Sequence, residues 1–147
     1  MRLVKSIALL ISCGAAVTSS VAAEVSPVMK VTRGELLSPL AGRAGVEHLE
    51  ETSDAGTVPA SDWLWHHSED GCLQSGFYET GKNRYVIDEP YPHDELMVFI
   101  EGGVTLTPEE GESVIVGPGD TVAIPAGWRG VWESDGYRKF YVIYDCP

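Results

Sequence analysis

From about residue 61 the chain runs as short apolar stretches set between turn residues. Residues 73–79 follow Asp70-Gly71, residues 84–88 follow Gly81-Lys82-Asn83, and residues 95–106 form a longer stretch containing Gly102-Gly103. Residues 113–116, 121–124, 130–133 and 138–145 complete the series. These stretches are rich in Val, Ile, Tyr, Phe and Trp. Many short strands with glycine turns predict an all-β antiparallel sandwich or barrel. No stretch sustains the apolar spacing of an amphipathic helix, which argues against a doubly wound α/β fold.

Residues 24–60 lack a clear period. Gly34, Pro39, Gly42, Gly45, Gly56 and Pro59 interrupt them. They read as a short irregular N-terminal arm that packs partly on the domain, and residues 33–40 can hold one helical turn or a short strand. No internal repeat or low-complexity tract is present. The expected organisation is therefore a leader over 1–23, an arm over 24–60 and the β domain over 61–147.

The leader is read from its own pattern. Arg2 and Lys5 open it, residues 7–17 are mostly apolar, and Val21-Ala22-Ala23 places small residues before Glu24. A charged start, a short apolar core and a small-residue exit form a secretory signal. The apolar run is too short to span a bilayer. A buried N-terminal helix fits less well, because no acidic residue precedes Glu24. A second reading takes Leu10-Ile11-Ser12-Cys13-Gly14 as a lipoprotein box with Cys13 lipidated. Cleavage after Ala23 predicts a periplasmic or secreted protein, with no membrane contact unless Cys13 carries lipid. It leaves Cys72 and Cys146, which in an oxidising compartment read as a disulfide; two separate thiols are the alternative.

Composition adds one exclusion. The 147 residues fit a single domain, and 22 acidic against 10 basic residues give a net charge of −12. That excess argues against nucleic acid or an anionic membrane surface as a partner through bulk charge. No acidic run exceeds two residues, so the charge serves solubility.

Two motifs are specific. Glu95-Leu96-Met97-Val98-Phe99-Ile100-Glu101-Gly102 resembles the end of the first cupin motif, a Glu with a later Gly. Gly119-Asp120-Thr121-Val122-Ala123-Ile124-Pro125-Ala126-Gly127 resembles the second, Gly-x5-Pro-x-Gly. Tyr91-Pro92-His93-Asp94-Glu95, the run from Pro125 to Glu133 and Arg138-Lys139-Phe140-Tyr141 narrow the resemblance. With them the sequence resembles the small single-domain cupins related to ureidoglycine aminohydrolase and the ethanolamine-utilisation cupin. Ser68-Glu69-Asp70-Gly71 and the run from Ser75 to Glu79 fit that group's opening strand. The resemblance covers residues 61–145 and implies a cupin double-sheet jelly-roll barrel with an internal pocket, often as a homodimer.

The metal-binding members of the group carry three His and one Glu. Here the His-x-His positions before Glu95 hold Asp88 and Pro90, or Glu89 and Tyr91, and the second-motif His position holds Gly130. One carboxylate does not make a transition-metal site, so no cofactor is expected. If a divalent metal binds, the candidate ligands are Glu95, His93 and Asp88, with His93 and Glu95 on one face of a strand. The alternative places His93 on the rim in a Pro-containing turn.

Gly130 and Trp132 share a strand face, so Trp132 is expected inside the barrel, either lining a space left by the absent imidazole or filling the core. Glu95, Trp132, His93, Tyr91, Tyr141 and Arg84 are the candidate ligand-binding residues. Tyr85 could add a further hydroxyl. A buried Glu95 needs a partner, and the Tyr hydroxyls, His93 or Arg84 could supply it. Arg129, Arg138 and Lys139 admit an anion site, but exposed salt bridges are the blander reading. Asp120 is expected to bond within its own turn, and Asp94 and Glu95 to point to opposite faces. The reading that follows is an exported barrel that binds a small, polar or weakly basic metabolite. Its rivals are a metal-assisted, aminohydrolase-like enzyme using Glu95 and a non-catalytic structural or interaction barrel.

Overall fold

The computed structural model describes residues 28–146, and the leader, Cys13 included, lies outside the described residues. The chain enters through one helical turn, α1 (Arg33–Leu37). Thr32 caps it: its hydroxyl accepts the Glu35 N–H at 3.3 Å while the Glu35 carboxylate accepts the Thr32 N–H at 2.8 Å. Eight strands follow: β1 (Glu47–Ser53), β2 (Gly56–His67), β3 (Leu73–Thr80), β4 (Asn83–Ile87), β5 (Asp94–Pro108), β6 (Val114–Val116), β7 (Thr121–Ile124) and β8 (Gly130–Tyr144). All pairs are antiparallel, in the order β1-β2-β3-β8-β5-β6, with β4 on β8 and β7 on β5.

Strands β5 and β8 are the spine. They pair from Asp94↔Tyr144 to Pro108↔Gly130, with register slips between Phe99 and Glu101 and between Gly103 and Thr105. Beyond the slips each strand exchanges neighbours: β8 leaves β3 for β4, and β5 leaves β7 for β6. Gly102, at φ +67°, sits at this corner. A Cβ there would lie 2.0 Å from the Gly136 carbonyl oxygen, so only glycine lets the two strands cross so closely. The far edges meet where the Asp54 N–H donates to the Arg84 carbonyl at 2.8 Å. The result is the expected all-β jelly-roll barrel.

Alternation fills the interior. Glu95, Met97 and Phe99 of β5 are buried, as are Val104 and Leu106 beyond the corner. They join Val116, Ile124, Trp132, Tyr137 and Tyr141 in one core. Side chains such as Met97 and Phe99, under 2% exposed, each contribute about 2 kcal/mol of transfer free energy. The expected breaks differ in two places. The stretches at 130–133 and 138–145 are one strand, because Ser134 and Gly136 continue the ladder through the corner. The irregular arm is also shorter than 24–60, since β1 and the start of β2 pair as a hairpin within the sheet.

The remaining arm covers the outer face of β2, β3 and β8. Leu40 is 2% exposed, its N–H donates to Glu79 at 3.3 Å, and the Arg43 guanidinium stacks 4.4 Å from the Trp63 ring. Beneath it Trp63, Trp65, Phe77 and Phe140 pack with ring centroids 5.1–6.3 Å apart. Cys72 and Cys146 are disulfide-bonded, with Cα atoms 4.9 Å apart, as the even pair predicts. The neighbouring Leu73↔Tyr144 pair explains why the two meet.

Candidate functional site

The barrel opens into a cavity of about 690 Å³. Its chemistry comes from residues spaced two apart on neighbouring strands: Asp62 on β2, Tyr78 on β3, Tyr137, Lys139 and Tyr141 on β8, and Glu95 on β5. Glu51 on β1, Tyr85 on β4 and Trp132 complete the wall. Each carboxylate accepts from a tyrosine hydroxyl: Glu51 from Tyr85 at 2.5 Å, Asp62 from Tyr141 at 3.0 Å, Glu95 from Tyr91 at 2.5 Å.

Glu95 is 4% exposed, and its second oxygen accepts from Lys139 Nζ at 2.7 Å. That ammonium also lies 3.2 Å from Met97 Sδ and 5.0, 5.6 and 5.8 Å from the Trp132, Tyr78 and Tyr137 ring centres. Carboxylate and aromatic faces together hold a positive charge in a dry place. Tyr91 is positioned by the second-motif turn: its N–H donates to the Trp128 carbonyl and its carbonyl accepts from Gly127. His93 and Trp128 pack edge-on against its ring.

The electrostatics follow from burial. Desolvation pushes the Asp62 carboxyl above its usual value, and Glu47 directly across the ladder adds to this against the Tyr141 hydrogen bond. The Tyr78, Tyr91 and Tyr137 hydroxyls are pushed far up, first by burial and then by nearby acids or, at Tyr137, by Tyr78, so all stay protonated donors. Burial also raises Tyr85, whose partner is Glu51, and Tyr141, whose partner is Asp62. The cavity thus presents three carboxylates, one ammonium and a set of neutral hydroxyls.

Most expected site residues meet here. Glu95, Trp132, His93, Tyr91 and Tyr141 all line the cavity, and Trp132 faces inward at 4% exposure. Arg84 does not. Alternation on β4 sends Tyr85 in and Arg84 out, where it pairs with Asp54 at 3.1 Å; Lys139 takes the role expected of it. Asp88 is exposed just past β4 and is not part of the lining. The imidazole's place is also not empty: a Cβ on Gly130 would lie 2.2 Å from the Thr107 carbonyl oxygen and 2.9 Å from the Trp128 ring. Asp120 accepts from Gly117 within its turn, as expected, and Asp94 lies exposed beside the buried Glu95, where it accepts from Ala126.

A metal does not fit these residues. Among the described residues no three His, Cys, Asp or Glu side chains converge, and the Lys139 ammonium already occupies one Glu95 oxygen. A resident cation there repels a second one. The His93–Glu95–Asp88 set therefore does not assemble. The residues that sequence reasoning missed are Glu51, Asp62, Tyr78, Tyr137 and Lys139. Lys139 and Arg138, read as surface cations, are 7% and 5% exposed.

An antiparallel barrel with a polar, aromatic-walled cavity defines a jelly-roll domain. Residues 69–141 match the model of the EutQ-like cupin domain, so this stretch of the chain is a small cupin domain. Among solved structures it is similar to a protein of unknown function of the DUF861 family from Pseudomonas syringae pv. tomato, with 25% identity and a TM-score of 0.59 over 66% of this chain. It spans 44% of that protein's length. The Clostridium difficile EutQ protein shares the fold, with 21% identity and a TM-score of 0.50 over 60% of this chain and 69% of that one. So does a Rhizobium leguminosarum protein of unknown function, with 18% identity and a TM-score of 0.50 over 82% of this chain and all of that one. No curated protein matches the chain. The cupin domain supports a small-molecule-binding or metal-related role.

Proposed function

We propose that the protein binds a small, polar, weakly basic metabolite inside the barrel. The observation that carries this reading is the charge of the cavity: three carboxylates face one ammonium, and among the described residues that ammonium pairs with Glu95, while Glu51 and Asp62 accept from tyrosine hydroxyls and Asp62 also from the Trp63 backbone. Carboxylates removed from water without a counter-charge are costly, and a ligand ammonium or amidinium supplies one. Aromatic walls favour the same cations and exclude water from the apolar part of the ligand. Glu95, already saturated by Lys139 and Tyr91, serves as scaffold, and recognition falls to Glu51 and Asp62.

The test is a thermal-shift comparison of small primary amines with small carboxylic acids of the same size. Binding to the folded state raises Tm by mass action, so amines raise it in a dose-dependent way and acids do not. Asp62→Asn removes most of the response. A shift produced by acids alone overturns the reading. The leader pattern supports delivery of the protein to the periplasm or outside the cell. N-terminal sequencing of exported protein then begins at Glu24; an intact Met1 removes that part of the proposal, and a lipidated Cys13 replaces it with a membrane anchor.

A further inference from the structure

We propose that Lys139 captures small neutral carbonyl compounds in this cavity as an imine. The inference rests on the cavity being a ligand site and names a second ligand class for it. Lys139 bears the amine of the lining, on a side chain 9% exposed, with Glu95 at 2.7 Å. Tyr91 donates to the other Glu95 oxygen at 2.5 Å. These are the parts that carbinolamine chemistry needs: an amine held out of bulk water, a base in contact with it, and a hydroxyl behind the base.

The steps balance without an external reagent. The Lys139 ammonium passes one proton to Glu95, and the free Nζ lone pair attacks the carbonyl carbon. The C–N bond forms as the C=O π pair moves to oxygen, which takes the proton held by Glu95. The carbinolamine oxygen takes a second proton, the one left on nitrogen by the attack, again by way of Glu95. The nitrogen lone pair then expels water, giving the protonated imine. This product keeps the positive charge of the ammonium. The same Glu95 carboxylate and the same Trp132, Tyr78 and Tyr137 faces therefore hold it, and limited access of bulk water slows its hydrolysis. The surplus of carboxylates selects against keto acids, whose charge Glu51 and Asp62 repel.

The experiment treats the purified protein with limiting propanal and cyanoborohydride, and in parallel with pyruvate, and maps the alkylated lysines by mass spectrometry. Lys30 and Lys82 serve as exposed internal controls. The expected result is one propyl group, on Lys139, added about tenfold faster than on Lys82, with little pyruvate adduct. Tyr91→Phe, which keeps the ring packing, slows Lys139 labelling and leaves Lys82 unchanged. Labelling confined to Lys30 and Lys82 overturns the proposal, as does pyruvate labelling of Lys139 at the propanal rate. If amines raise Tm while Lys139 stays unlabelled, the binding reading stands and the imine fails.

Discussion

Arg138 and Lys139 are neighbours on β8, both buried, both cationic, and they face opposite ways. Arg138 points out under the arm. Its guanidinium spreads over three acceptors: Glu101 at 2.6 Å, the Leu37 carbonyl at 3.1 Å and Glu79 at 3.4 Å. Glu79 in turn accepts the Leu40 N–H, so one planar fork fastens the arm to the barrel. Lys139 points in, with one carboxylate, a thioether and three ring faces. A guanidinium suits a multidentate clamp, and a compact ammonium at the end of a flexible stem suits a cavity that must also admit something else. The outer cation is used up by structure, and the inner one is left facing an open space.

That contrast breaks most visibly at the inner cation. Lys139→Met leaves Glu95 buried without its counter-charge and is expected to cost about 3–5 kcal/mol in urea denaturation. The double variant Lys139→Met with Glu95→Leu recovers most of the loss, because the pair is then absent rather than broken. A double variant no more stable than the single one shows that the pair itself holds the barrel together.

Removing the disulfide loosens both faces alike and serves as the control. Cys72 and Cys146 are 74 residues apart, and the chain-entropy model gives roughly 4 kcal/mol for such a loop. Reduction is expected to lower the denaturation midpoint while the arm stays resistant to protease in the folded protein.

On the outer side, Arg138→Lys is expected to cost about 2 kcal/mol, since an ammonium cannot reach all three acceptors at once. Limited proteolysis reads the specific effect: trypsin cuts the variant at Arg33 and Arg43 faster than the wild type, while amine binding in the cavity is unchanged. An arm equally resistant in both proteins removes the clamp.

The smallest effect has the opposite sign. Burial raises the Asp62 carboxyl, so its ionisation in the folded state opposes folding. Stability from this group is full below the unfolded value of about 3.8 and is lost as pH rises through the higher folded value. Asp62→Asn therefore slightly raises Tm at neutral pH, and the gain shrinks toward pH 4, while amine binding weakens. A Tm that falls equally at both pH values shows that the Tyr141 bond matters more than the charge.

Sequence pattern placed β3 to β7 within a residue or two, because apolar and polar residues alternate wherever a strand has a dry face and a wet one. The same rule explains what was missed. Strand β1 reads Glu-His-Leu-Glu-Glu-Thr-Ser, and its inward residues include Glu51, because it lines a polar cavity and not the core. An inside that is polar erases the alternation by which an inside is recognised, so β1 and the first half of β2 looked like an arm. Lys139 was hidden for a related reason: a lysine is read as exposed unless its partner is known, and Glu95 lies 44 residues away along the chain.

The sequence by itself determined the class of fold, the inward direction of Glu95 and Trp132 and the loss of the imidazole donors. These follow from local spacing, from two motifs of fixed length and from counting donors. The Cys72–Cys146 bridge, by contrast, was one of two readings until the structure brought the pair together. Tertiary structure alone decided which charges share the cavity. Glu51, Asp62, Glu95 and Lys139 come from four strands whose mutual register is set by the corner at Gly102 and Gly136 and by the closure of β1 against β4. Because a one-residue slip in any of those pairings would send a charge to the other face, the content of the site belongs to the register.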